Sequence, residues 1–559
     1  MARIRQLGFG GENRALHPKA LPETVGTVSR NQKPGRGDLR PWRTPLTVAS
    51  VPAGRKTIYR MGRDVASDAS YWLSWTTRVH AVRGFDAEDT TERTFFTGDG
   101  VPKVTDNILA LAAAPYPTAS RPLGVPAPAT ALIASVNAGS WTGLDNSYYY
   151  VYTYVNDWGW ESAPGPVSVE VVRPTDATVS LSGFAAVPAG NYGINRIRIY
   201  RTQTGTSGGT EFFFLREIAL GTASTSDDNR DLGEVLPTAT WAMPPADLHN
   251  LTPLWNGMLA GISGNAVRLC EPYTPYAWPS GYDLVPPDSK PVAIGHFGQS
   301  ILVLTTGRPL LASGSSPDAM DQAPLELPQS CVSAESVVSM GAGVAWSSDD
   351  GLCWYGSNGP KILTASVMTR EDWQALRPST VIGQMYEGLY FGSYDDGTGR
   401  KGFVIDPMNP TGMFFLDTGY EGMHFDDLQD QLYVLDGTNV KRWDAGATFL
   451  TARFKSKVYQ APSAISFNCA EVVADTYPVT LRVDAMGLTA DQVAQVLAVN
   501  DLLTAPTATS LRYTATVTDR NGFRLPDGFA APDWQIEIES ATPVQEASLA
   551  TSMKELAES

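Results

Sequence analysis

The chain has 559 residues, 43% of them hydrophobic and 18% charged, with 51 Gly and 40 Pro and a formal net charge of −16. That length exceeds what one core supports, so roughly two to four domains are expected, and the low charge with abundant Gly and Pro favours many short elements joined by turns, an all-β protein, over long surface helices. No run of about twenty apolar residues occurs, and MARIRQLGFGGENRALHPK has no apolar segment behind its positive charges, so neither a membrane span nor a secretory signal is read and folding in the cytoplasm is expected.

Charge is divided unevenly along the chain. Residues 1–63 hold thirteen Lys and Arg against three acids, so the remainder carries −26. This first segment (HPKALPE, NQKPGRGDLRPWRTP) follows neither the helical nor the strand period and reads as an extended N-terminal arm ordered by its neighbours. A basic arm on an acidic body is an electrostatic signature of docking. Arg3, Arg5, Arg14, Lys19, Arg30, Lys33, Arg36, Arg40 and Arg43 are therefore the candidate assembly residues, and removing residues 1–40 is expected to cost assembly while sparing the body.

From Ser70, SYWLSWTTRVHAVRGF alternates aromatic and β-branched residues with polar ones, as a half-buried strand does. TERTFFTGDGVPKVTD then gives a strand carrying Phe95 and Phe96, a Gly98-Asp99-Gly100 turn and a return strand entered through Pro102. Residues 64–123 are assigned to the first strands of a platform, which the chain leaves near Pro115 and re-enters near Leu248. The Pro-Ala stretch PYPTASRPLGVPAPAT reads as a linker.

Residues 124–245 contain an aromatic strand from Tyr148, an Asn-Asp-Trp-Gly turn, and a hairpin of RIRIYRT and EFFFLREI across Gly-Thr-Ser-Gly-Gly. Short strands at that spacing predict an immunoglobulin or fibronectin-like β-sandwich. Residues 246–446 repeat a theme of apolar strand, turn and second strand five times, marked by Gly257, Gln299, Gly343, Gly388 and Gln431 at offsets of 42, 44, 45 and 43. A period in the low forties with paired strands predicts β-propeller blades. Residues 447–559 return to strand patterns around one short helix, where Thr489 and Gln492 form a capping-box pair ahead of Val493, Val496 and Leu497.

Candidate chemistry is sparse. The Asp-Gly clusters SDDG, YDDGTG, LDGTN and TGDG lack calcium-loop spacing and sit between apolar runs, where Asp-Gly serves hairpin turns. Cys270, Cys331, Cys353 and Cys469 are far apart, and the five histidines are scattered, so buried free thiols are expected and no metal or cofactor site is assigned. No GxSxG elbow, P-loop or HExxH occurs. Asp349, Asp395 and Asp436 are the carboxylates a glycan-cleaving propeller would draw on, yet all three lie in turns, and no catalytic residues are assigned.

Together GDLRPWRTPLTV, WTTRVHAVRGF with ERTFFTGDGVPKVTD, ESAPGPVSV, IYRT, EPYTPYAWP and FRLPDGF with DWQIEI resemble virion structural proteins of tailed bacteriophages, closest to the tail nozzle (tail tubular protein B) family of short-tailed phages. The resemblance implies a non-enzymatic homohexameric ring in the virion tail, assembled in the host cytoplasm, contacting adaptor and tail fibre proteins and passing double-stranded DNA without specific binding. Propeller loops would narrow the channel, though no gate residues are assigned. A propeller-type glycan depolymerase and a receptor-binding tail adhesin are the alternatives.

Overall fold

A computed structural model describes residues 3–62, 66–86, 88–204, 210–228 and 230–557; Arg63 of the arm and the Gly205–Gly209 hairpin turn lie outside them. The protein is all-β: a β-propeller platform with an inserted β-sandwich, a C-terminal β-rich domain and an extended N-terminal arm.

Among the described residues, seven sheets surround one central cavity. Blade 1 is the pair Thr57–Arg60 and Trp72–Trp75, and blade 2 runs from His80–Arg83 to Arg121–Pro122. Blades 3, 4, 5 and 6 begin at His249–Pro253, Pro291–Phe297, Val338–Ser339 and Ile382–Tyr386. Blade 7 comprises Gly422–Asp426, Gln431–Asp436 and Asn439–Arg442, and its outermost strand is Leu46–Ser50 from the other end of the chain. The five sequence markers fall at or just before the second strand of blades 3 to 7. Those strands are mostly buried, LAGIS at Leu259–Ser263 and GVAWS at Gly343–Ser347 throughout, because each is covered on both faces by neighbouring blades. Gly295 has no Cβ because Val344 of the next blade occupies that space.

The segment TERTFFTGDGVPKVTD forms the two middle strands of blade 2, Thr94–Thr97 and Lys103–Thr105. Its two phenylalanines point to opposite faces, as adjacent strand residues must. Phe96 packs 5.3 Å from Trp75 of blade 1, whereas Phe95 stacks 6.3 Å from Trp160 of the sandwich.

The sandwich has two three-stranded sheets and a two-stranded ribbon, and shares one core with blades 2 to 4. Its interior holds an ionic cluster: Asp227 accepts from Arg201 (2.6 Å), Arg173 (3.2 Å) and the Tyr150 hydroxyl (2.9 Å). The C-terminal domain packs the long strands Val479–Met486 and Ala531–Ser540 against a sheet containing Cys469–Ala474 and Val544–Ala550.

Three sequence-based expectations are corrected. The arm does not end at 63, because Leu46–Ser50 and Thr57–Arg60 already belong to blades 7 and 1. The Pro-Ala stretch is not a free linker, since Arg121–Pro122 pairs with Lys103 and Val104 as the outer strand of blade 2. The C-terminal domain has a second helix, Met553–Ala557, beside the capped helix Ala490–Leu497.

The arm is also not separable from the body. Arg3–Gln6 pairs with Val544–Ala550, while Val28–Arg30 lies between Phe414–Leu416 of blade 6 and Ala452–Lys455, joining the propeller to the C-terminal domain in one sheet. Leu39 and Trp42 are fully buried, and Trp42 meets Phe391 and Trp443 at 5.5 and 5.6 Å. Loss of residues 1–40 would therefore strip Ile4, Phe9 and Leu39 from the core of the C-terminal domain and remove the strand that joins it to blade 6. Trp42→Ala is expected to lower unfolding free energy by about 3–5 kcal/mol in urea denaturation, whereas Arg36→Ala, on an exposed loop, should change it by less than about 0.5 kcal/mol; equal effects would refute the structural role of the arm.

Candidate functional site

The charges of the arm are spent largely on this chain. Arg3 and Arg5 reach Glu546 at 3.4 and 2.5 Å, and Lys19 reaches Asp533 at 2.8 Å. Arg14 and Arg30 clasp Glu12 from either side at 2.5 and 2.7 Å, each guanidinium 4.7 Å from the Phe415 ring centre. Lys33 sits between Glu387 and Asp444, 2.8 Å from each; burial pulls its pKa down, but the two carboxylates outweigh that and hold it above the usual lysine value. Arg40 pairs with Asp38 at 3.1 Å, and Arg43 stacks 4.8 Å from Phe449. Arg36 alone of the nine candidates has no ion pair or ring contact among the described residues.

The Asp-Gly clusters are hairpin turns, and in each an acid is tied to a nearby cation: Asp99 to Lys103 (2.6 Å), Asp350 to Arg370 (2.6 Å), Asp396 to Lys401 (3.1 Å) and Asp436 to Lys441 (2.6 Å). Gly397 and Gly437 supply the positive φ those turns need, at 93° and 61°. All four cysteines are free and buried; burial pushes the Cys270, Cys331 and Cys353 thiols up to about 12, so they stay protonated at neutral pH. Trp158, Trp160 and Tyr276 pack on one another at the joint between sandwich and propeller.

The first strands of the seven blades converge on a central cavity of about 640 Å³. Three of the chain's five histidines, His80, His296 and His424, line it, which their scattered sequence positions did not reveal. The available signal was their place, on or beside the strand that precedes each repeat marker or its counterpart in blade 2.

His424 accepts from the Arg60 backbone N–H at 3.4 Å and packs 5.1 Å from the Tyr59 ring. Burial drives its pKa down to about 4, with Arg60 helping, against the pull of Asp426 and Asp427. Arg60 itself reaches Asp426 at 3.1 Å, both side chains almost fully buried. His80 lies 3.7 Å from Glu335 and 3.2 Å from the Asn250 amide, and burial lowers its pKa as well. Asn250, in the left-handed region at φ 54°, accepts from the Ile294 N–H at 2.9 Å and so ties blade 3 to blade 4. Among the described residues, no group of three or more His, Cys, Asp or Glu is disposed to hold a metal ion, and no helix is long and apolar enough to cross a membrane.

No protein-family model matches the sequence, and no curated protein does. Solved structures do. The chain is similar to the Dos1 propeller, at 10% identity over 74% of this chain and 97% of that one, with a TM-score of 0.28. It is also similar to the extracellular domain of the BT4673 system from B. thetaiotaomicron (8% identity, 91% and 61% coverage, TM-score 0.26) and to a gluconolactonase from Xanthomonas campestris (9%, 73% and 99%, TM-score 0.22).

The lowered histidine pKa values have a defined sign. An imidazole that titrates near 4 when folded and at 6.5 when unfolded takes up its proton in the unfolded state first, so its contribution is complete above pH 6.5 and is lost as pH falls toward 4. His80 and His296 act in the same direction. Urea midpoints should therefore fall between pH 7 and 4.5, and His424→Gln should flatten that slope; an unchanged slope would remove His424 as its source. Separately, Glu12→Ala removes the shared partner of two half-buried guanidiniums and of the Ser29 N–H and is expected to cost about 1–3 kcal/mol in the same assay, against no measurable loss for Asp436→Ala in its exposed pair.

Proposed function

We propose that the chain is a structural subunit of a bacteriophage tail, a homo-oligomeric nozzle ring that closes the DNA channel in the virion and conducts DNA during ejection. The observation that carries this reading is the stitching of propeller and C-terminal domain into one continuous sheet by the N-terminal arm, which makes a stiff plate suited to assembly. The resemblance to tail nozzle proteins in the segments quoted above supports it independently.

The 640 Å³ cavity is of small-ligand size and far too small to admit a duplex. The conduit therefore belongs between copies and not through a propeller. Six copies would carry −96, and an acidic wall lets phosphates pass without the strong, salt-dependent trapping a basic wall would impose. With the other eight candidate arm cations engaged by this chain, Arg36 and the loop around it are the part of residues 1–43 open to an adaptor or a neighbouring subunit.

Electron microscopy of the purified chain, alone and with adaptor, tests this reading. A sixfold ring with an opening wide enough for duplex DNA is the expected result, and Arg36→Glu should weaken adaptor binding without changing the melting temperature. A compact monomer under both conditions would overturn the nozzle reading, and release of sugar from host polysaccharide by the purified chain would favour the depolymerase alternative.

A further inference from the structure

We propose that the central cavity of the propeller is a binding site for an acidic sugar, a single pyranose-sized ring carrying one carboxylate. This rests on the geometry of the cavity and not on the nozzle reading.

The first argument is charge. Within a chain of net −16, the cavity lining is not acidic: it holds four cations and three carboxylates, and Glu421 just beyond it pairs with Arg78. Arg60 is neutralised by Asp426 and Arg78 by Glu421 at 3.2 Å, while Glu335 lies beside His80, whose pKa burial lowers, so Glu335 and Asp427 both remain as carboxylates on the wall. Of the cations, that leaves Lys56 and Arg83, neither of which has an ion-pair partner among the described residues. An arginine facing a cavity without a counter-ion presents a planar fork of donors matched to a carboxylate.

The second argument is the rest of the wall. The cavity volume lies within the range of about 300–1,000 Å³ usual for small-molecule sites. The Gln384 amide N–H groups have no partner among the described residues, and the Ser339 hydroxyl accepts from the His296 backbone N–H at 3.0 Å, leaving its own proton to donate. Tyr59 and Phe425 add aromatic surface. An apolar ligand would leave these polar groups desolvated and unpaired, while a hydroxyl-rich ring satisfies them. Asp427 on the same wall disfavours a second negative charge, so a monoanionic carboxylate fits better than a phosphate dianion.

Isothermal titration calorimetry of the full chain with D-glucuronate, D-glucose and inorganic phosphate tests the proposal. Saturable binding of glucuronate is expected, with glucose at least tenfold weaker and phosphate neither binding nor competing. Arg83→Gln should reduce glucuronate affinity at least tenfold, and Lys56→Gln offers the same readout should the first variant fail to fold; Arg36→Gln, far from the cavity, should bind as the unaltered protein does. Absence of glucuronate binding, equal binding by folded cavity variants, equal affinity for glucose, or equal competition by phosphate would each overturn it. A monomer that binds glucuronate would keep the site and refute the nozzle, and a ring that does not would do the reverse.

Discussion

A propeller holds together only if its last blade is joined to its first, because each blade buries its faces solely against its neighbours. Here that closure is made by the N-terminal segment. Leu46–Ser50 completes blade 7, and the chain passes directly from it into blade 1. The strands before it close a second circuit: Val28–Arg30 bridges blade 6 to the C-terminal domain, and Arg3–Gln6 is held beside Val544–Ala550 near the other terminus. Both ends of the chain must therefore be present before either the ring or the terminal domain has all its strands.

Carboxylates buried at these junctions and inside the domains are costly to desolvate and are held by cations. Glu12 is held by two arginines and the Ser29 N–H, Asp227 by two arginines and a tyrosine, and Glu537 lies under Arg453 and Arg482. Removing one member of such a cluster leaves an uncompensated charge, whereas the exposed pairs at the turns contribute little. The same distinction explains the arm: its basic residues look like a docking surface in the sequence, but most of their partners are acids of the body they wrap.

The cavity and the conduit are separate questions in this architecture. The cavity is walled by the first strand of every blade and is fixed by cross-blade hydrogen bonds that the Ile294 and His296 backbone N–H groups donate to Asn250 and Ser339. Its polar lining and unpaired cations suit a small ligand. In the proposed ring, a passage for DNA would lie between copies, where their acidic charges would act together.

Much of the fold was legible because it is written in local pattern. The low-forties repeat marks blades 3 to 7, since each second strand needs a continuous apolar run and a turn before it. The Thr489–Gln492 capping box heads its helix with both reciprocal hydrogen bonds formed, at 3.3 and 2.8 Å, and the Asp-Gly clusters are turns. Blades 1 and 2 escaped the repeat because the sandwich separates them from the rest and, among the described residues, blade 1 has two strands. The cavity histidines and the partners of the arm were not legible at all: His80 and His424 are 344 residues apart, and Arg5 and Glu546 are 541 apart. Periodicity, turn chemistry and caps are properties of a few consecutive residues and survive in the sequence, while a ring closure or a shared cavity is a meeting of distant strands whose register only the packed sheets establish.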